Sequence, residues 1–208
     1  MGNLNLILFI SIVSPLTMMA FVYKGKSRVS LIFLIVGITV CLFCGELNGI
    51  LFDLLHFDTK YYANNITPIV EEISKALPIM YYAFLYKPKK QNLLEGAIGV
   101  GIGFAILENA FVLASNISTI SIPTAFVRGF GSGMVHGVCT LAVGYGMTFV
   151  HTRRKLFYTG TTALLSAAVV YHSIYNNFVQ SDYQWAGYLL PMLTFIPLFV
   201  MLKRKKIL

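Results

Sequence analysis

The sequence predicts an all-α fold: a polytopic membrane helical bundle of about seven transmembrane helices, with the N-terminus outside and the C-terminus cytoplasmic. Three observations lead there. Of the 208 residues, 57% are hydrophobic and only 12% charged, with a mean hydropathy of +0.73, whereas soluble domains carry about 25% charged residues. Apolar runs of about 20 residues, the length that crosses a bilayer, follow one another along almost the whole chain. The basic residues, all except Lys60, Lys75 and Arg128, fall into four groups between those runs: Lys24, Lys26 and Arg28; Lys87, Lys89 and Lys90; Arg153, Arg154 and Lys155; and Lys203, Arg204, Lys205 and Lys206. Short loops rich in Lys and Arg stay on the cytoplasmic side, so the net charge of +8 reads as topology and not as affinity for nucleic acid. The prediction is a single membrane-embedded domain over 1–208, multi-pass in the cell membrane, with the lipid bilayer as its solvent.

The spans are expected near 4–23, 29–55, 66–86, 93–115, 123–150, 156–180 and 186–202. The first has its positive charge behind it and no small-residue cleavage site, so it reads as a retained span and not a signal peptide. The second contains Cys41 and Cys44 at C-x-x-C spacing, which in an apolar run points to packing, and Glu46 and Asp53 on one face, with Asp53 a possible partner for Lys75 or Arg128. The third begins with Glu71, Glu72 and Lys75. The fourth and fifth carry glycines at small-x-x-x-small spacing, Gly99 and Gly103, then Gly129, Gly133 and Gly137, which let backbones approach closely. Glu95, near the inner end of the fourth span beside Lys89 and Lys90, reads as one side of a solvated salt bridge. With all four basic groups cytoplasmic, the loops near 56–65, 116–122 and 181–185 face outward.

Ionisable groups inside a bilayer are costly, at least about 2.5–3.5 kcal/mol each near its centre, and by default mark a functional site. Depth and helical phase sort them. At about 1.5 Å per residue, Glu71, Glu72 and Lys75 lie in the outer half of the third span. Glu108 is roughly 22 Å up the fourth span and His172 roughly 24 Å up the sixth, with Asn176 one turn above. His136 is central in the fifth span or just above. Residues four apart share a face, so Glu71 and Lys75, Phe104 and Glu108, His172 and Asn176, and the stripe Arg128, Ser132, His136 and Thr140 form polar lines that meet at one level. Two adjacent carboxylates in a poorly solvated place do not both ionise cheaply, which suits one of them to general acid–base work. His172 with Asn176 suits oxyanion stabilisation.

The pattern Glu71-Glu72-x-x-Lys75, Phe104-x-x-x-Glu108-Asn109, His136 and His172-x-x-x-Asn176, in that order on successive spans, resembles the PrsW family of intramembrane proteases. That family is grouped with the CAAX-processing and bacteriocin-processing membrane proteases, whose broader pattern is E-E-x-x-x-R, F-x-x-x-H and H-x-x-x-N. Lys75 comes one residue earlier than the arginine of that pattern and Glu108 stands in place of its first histidine; both departures resemble the PrsW branch. The resemblance covers about residues 66–180. It implies an endopeptidase of the glutamic type, with no cofactor and no metal, acting on a single-span membrane protein of the anti-sigma-factor kind in regulated proteolysis. Carried over, Glu71 activates water, Glu72 holds or shares the proton, Lys75 orients the glutamates, His172 and Asn176 receive the oxyanion, and Glu108 and His136 complete the water-binding shell.

Two other classes compete. One is a non-catalytic scaffold resembling the structural subunit of gamma-secretase; retention of both glutamates of the pair argues against it. The other is an ion- or metal-coupled transporter or metal site, in which Glu108, His136 and His172 would be the favoured ligands. The depth argument further expects the substrate to be cut near the outer membrane face.

Overall fold

The computed structural model describes Pro15, Met18, Met19 and residues 28–204. The predicted first span and Lys24, Lys26, Lys205 and Lys206 therefore lie outside the described residues, apart from Pro15, Met18 and Met19, which are helical. Six long helices account for most of the rest: α1 (Arg28–Leu55), α2 (Thr67–Tyr86), α3 (Lys90–Ser115), α4 (Ile122–Met147), α5 (Arg154–Val179) and α6 (Gln184–Arg204). No strand occurs among the described residues. Each long helix matches one predicted span to within a few residues. Four segments, Ser30–Leu55, Lys90–Ser115, Ile122–Met147 and Gln184–Met201, are long and apolar enough to cross a membrane. The helices α2 and α5 are not in that group; α2 alone carries Glu71, Glu72 and Lys75.

Local chemistry sets the boundaries. Asp58 accepts a hydrogen bond from the Tyr61 N–H at 2.9 Å, capping a short turn at Thr59–Tyr61 that runs through a π-helical turn, Tyr62–Ile66, into α2. Pro68 sits in the first turn of α2, where a missing N–H costs nothing. The helix ends at Lys87, whose φ of 44° is left-handed, just before Pro88. Ser121 caps α4 by accepting from the Thr124 N–H. Loops 87–89 and 148–153 leave the bundle at one end, the basic end, and the 56–66, 116–121 and 180–183 connections at the other.

Close backbone packing assembles the frame. A Cβ on Gly37 of α1 would strike the Val100 backbone, and one on Gly103 of α3 would strike the Leu34 backbone, so α1 and α3 touch main chain to main chain. A Cβ on Gly101 would meet the His136 carbonyl and the Thr140 hydroxyl, which brings α4 equally close on the next face of α3. Where lipid gives helices no hydrophobic reason to associate, such small-residue contacts are a principal source of packing energy. The basic half of the bundle is apolar, with Ile79, Ala83, Ala97, Val143, Met147 and Phe157 in one buried cluster. Apart from Glu95, which is buried near the start of α3, the opposite half holds the buried charge.

Candidate active site

Four helices supply the polar centre. Lys75 of α2 has no exposed surface. Its Nζ donates to Glu72 Oε1 at 2.6 Å and lies 2.7 Å from His136 Nδ1. An ammonium has only donors, so His136 Nδ1 accepts and the ring hydrogen sits on Nε2, which donates to Glu108 Oε2 at 2.9 Å. Glu108 also accepts from Arg128 Nη2 at 3.2 Å and from Ser132 Oγ at 3.1 Å. On the other side, His172 Nδ1 of α5 donates to Glu72 Oε1 at 2.9 Å and lies 3.8 Å from Glu71 Oε2. The result is a continuous line from Arg128 through Glu108, His136, Lys75 and Glu72 to His172.

Exposure is graded along that line. The Glu108 and Arg128 side chains are 23% and 20% exposed, whereas those of Glu72 and Lys75 are at 0%. Rings fix the geometry: His136 and His172 meet edge to face with centroids 4.8 Å apart, Phe104 lies 5.1 Å from His136, and Lys75 Nζ sits 4.5 Å over the Phe104 ring. The phenylalanine of the sequence pattern is therefore a wall that excludes solvent and a partner for the ammonium. Burying a pair such as Glu72 and Lys75 is favourable only where further hydrogen bonds satisfy the remaining atoms; His136 supplies one to Lys75 Nζ and His172 one to Glu72 Oε1, while Glu72 Oε2 is left without one.

Six of the seven predicted site residues, Glu71, Glu72, Lys75, Glu108, His136 and His172, converge. Asn176, the seventh, lies one turn beyond His172 and its amide reaches the Ala63 carbonyl at 3.5 Å, a long contact at the π-helical turn. Asn109 is fully buried with neither amide atom hydrogen-bonded. Arg128 and Ser132 are visible in the sequence only as members of the α4 stripe; that Glu108, itself an expected site residue, is their shared partner is not. The suggested pairing of Asp53 with Lys75 or Arg128 does not occur, because Glu72 and Glu108 hold those cations and Asp53 is exposed. Glu95 is likewise not solvated: it is buried and accepts from Gln91 Nε2 at 3.0 Å.

The buried carboxylates differ in their hydrogen-bond partners. Glu72 Oε1 accepts two hydrogen bonds, while Glu71 Oε2 and Glu72 Oε2 are buried without a protein partner. Buried polar atoms almost always find partners, so these two oxygens are positioned for a ligand.

The same centre can be tested for a metal. Glu71, His136 and His172 each offer a ligand atom, all within 4.8 Å of one another. Two imidazoles and a carboxylate with a fourth position open are the donors of a catalytic zinc site. Glu108 behind His136 and Glu72 behind His172 are the carboxylates that commonly orient such imidazoles. With Glu108 behind His136, the residues fit a divalent cation provided His136 Nδ1 gives up its contact to Lys75. The expected ligand set is corrected in one member, since Glu108 stands behind His136 and Glu71 takes the third place.

No curated protein and no solved structure shows significant similarity to the chain. Residues 25–202 match the family described as PrsW family intramembrane metalloprotease. That match spans α1 to α6 and contains every residue of the polar centre, and with the buried glutamate pair, the two histidines and the apolar helices around them it identifies the chain as a multi-pass membrane protein belonging to the PrsW family of intramembrane proteases.

Proposed function

We propose that this protein is a seven-span endopeptidase that cuts a single-span, membrane-anchored protein of the anti-sigma-factor kind near the outer membrane face, using a water activated by Glu71. The proposal takes the basic end of the bundle as cytoplasmic and groups the family with the CAAX-processing and bacteriocin-processing proteases. The observation that carries it is the asymmetry of the glutamate pair: Glu72 is held by Lys75 and His172, while Glu71 Oε2 is buried without a partner.

A carboxylate in that setting can take a proton from water, because no protein group hydrogen-bonds that oxygen and His172 Nδ1 stands 3.8 Å away. The hydroxide formed attacks the peptide carbonyl carbon and the C=O electron pair moves to oxygen; as that pair returns to re-form C=O, the C–N bond breaks and Glu71 gives its proton to the departing amine. His172, between the two glutamates, and the loosely held Asn176 amide are the donors for the oxyanion. Lys75 holds Glu72 in place through their 2.6 Å contact. Arg128 and Glu108, partly exposed, connect this buried centre to water. If a zinc ion is bound, it supplies Lewis-acid activation of the same water, with Glu71, His136 and His172 as its holders.

Cleavage of a single-span substrate by the purified protein in a strong zinc chelator tests the glutamate reading. Activity is expected to persist; loss in chelator with return on stoichiometric zinc replaces that reading with the metal one. Topology is tested separately by placing a cysteine at residue 88. Reaction with an impermeant reagent added outside intact cells would reverse the orientation.

A further inference from the structure

A groove of about 310 Å³ runs between α2 and α5 in the basic half of the bundle. Its floor is the buried Val143 and Met147 of α4, and its rims are exposed: Ile73, Leu77 and Phe84 on α2 and Tyr158 on α5. A Cβ on Gly146 would strike the Thr161 backbone, so α4 and α5 are sealed behind the groove. The His151 ring donates to the Ala83 carbonyl at 2.9 Å, which ties the 148–153 loop to the end of α2. The groove is therefore closed toward the protein and open toward lipid. From Phe84 to Ile73 the rise is about 16 Å, half of the roughly 30 Å of bilayer hydrocarbon. A partner's membrane helix would cross both halves, whereas a phospholipid chain occupies one.

Charge at the basic end of the groove names the occupant. Residues 154, 158, 161 and 165 are four, three and four apart, so Arg154 continues the face of α5 that carries Tyr158, Thr161 and Leu165. On the α2 wall, Lys87 follows Phe84 by three residues, just past the helix end. Lys87, Arg154 and the adjoining Lys155 are exposed, and among the described residues none of them forms an ion pair. The acidic residue of that end, Glu95, is buried beside Gln91. Further, α5 begins without a side-chain cap and with no acid in its first turn, so its first N–H groups and the positive end of its dipole add to the cations. The positive-inside rule accounts for the side on which these cations lie, but not for their placement at the end of both walls of one groove.

We infer that this groove is a binding site for one anionic phospholipid. An acyl chain lies between α2 and α5 over Val143 and Met147, and the phosphate sits among Lys87, Arg154, Lys155 and the first N–H groups of α5. Basic pockets between membrane helices bind anionic headgroups in this way. A zwitterionic headgroup brings its own cation to the same cluster and gains less. The inference is independent of the peptidase reading.

The test uses the full-length protein in phosphatidylcholine vesicles doped with either phosphatidylglycerol or phosphatidylcholine whose acyl chains are brominated and quench tryptophan on contact. Trp185, the one tryptophan of the chain, is replaced by Phe. A reporter is then placed in the groove by Tyr158→Trp, or off it by Tyr145→Trp. Tyr145 is exposed and its ring lies 4.5 Å from Lys90 Nζ, so it samples the basic end without the groove. At 158 the mole fraction giving half-maximal quenching is expected to be at least about fivefold lower for phosphatidylglycerol, the effect of one cation near the headgroup. At 145 the two lipids should agree within about twofold. Lys87→Gln with Arg154→Gln and Lys155→Gln should remove the preference at 158. Equal values at 158, the same preference at 145, persistence in the triple variant, or loss of the preference on adding inorganic phosphate overturns the inference. If the triple variant does not fold, the comparison of 158 with 145 decides.

Discussion

The α1–α3 crossing and the α2–α4–α5 centre solve the same problem, bringing helices together in lipid, by opposite means. At the first, Gly37 faces the Val100 backbone and Gly103 the Leu34 backbone; contact depends on side chains being absent. At the second, Lys75, Glu72, His136 and His172 are all buried and joined by hydrogen bonds of 2.6–2.9 Å; contact depends on charged side chains being complete. The first arrangement tolerates no added atom, the second no removed one. The glycine crossing closes one side of the bundle, and the charged centre leaves two carboxylate oxygens, Glu71 Oε2 and Glu72 Oε2, without a hydrogen-bond partner.

The largest effect should come from Glu71→Gln. Because Glu71 Oε2 makes no hydrogen bond to protein, the amide should leave the fold intact while turnover falls below detection. A variant that cleaves at the wild-type rate would remove Glu71 as the base, and one that fails to fold would show that the centre is structural at every member.

Next in size is Glu72→Leu. Removing one partner of a buried ion pair costs about 3–5 kcal/mol because the other charge is stranded. Unfolding in detergent should show a loss of that order, and Glu72→Leu combined with Lys75→Met should recover much of it. Equal or additive losses in the single and double variants would mean that the pair is not coupled as the contact distances imply.

Asn176→Ala should reduce turnover about 100- to 1,000-fold, the usual effect of losing an oxyanion donor, with stability close to wild type since its one contact is long. Steady-state kinetics on a single-span substrate measures it. A large loss of stability with unchanged turnover would move Asn176 from the chemistry to the π-helical turn.

The smallest effect is on the other side of the comparison. Gly37→Ala forces backbone apart at α1–α3 and should cost about 1–3 kcal/mol, the range for overpacking, while activity per folded molecule stays near wild type. A loss of activity without loss of stability would show that the crossing and the centre are mechanically linked.

Much of this was legible in the chain. Composition and the basic groups fixed the apolar runs, since the cost of placing charge in hydrocarbon leaves few alternatives, and six predicted spans coincide with the long helices. Helical phase put Glu71 with Lys75 and His172 with Asn176, because residues four apart must share a face. Partnership was beyond it: Lys75 takes Glu72 and His136, Arg128 takes Glu108, and Glu95 is buried beside Gln91. Periodicity ranks residues around one helix axis but carries no information about which neighbouring helix supplies the opposing charge. That depends on how closely the backbones approach, which Gly37, Gly101 and Gly103 determine at the crossings. The tertiary structure alone decided that Glu71, not Glu108, shares a coordination-sized space with His136 and His172, because that follows from the separation of helix axes and not from the order of residues along them.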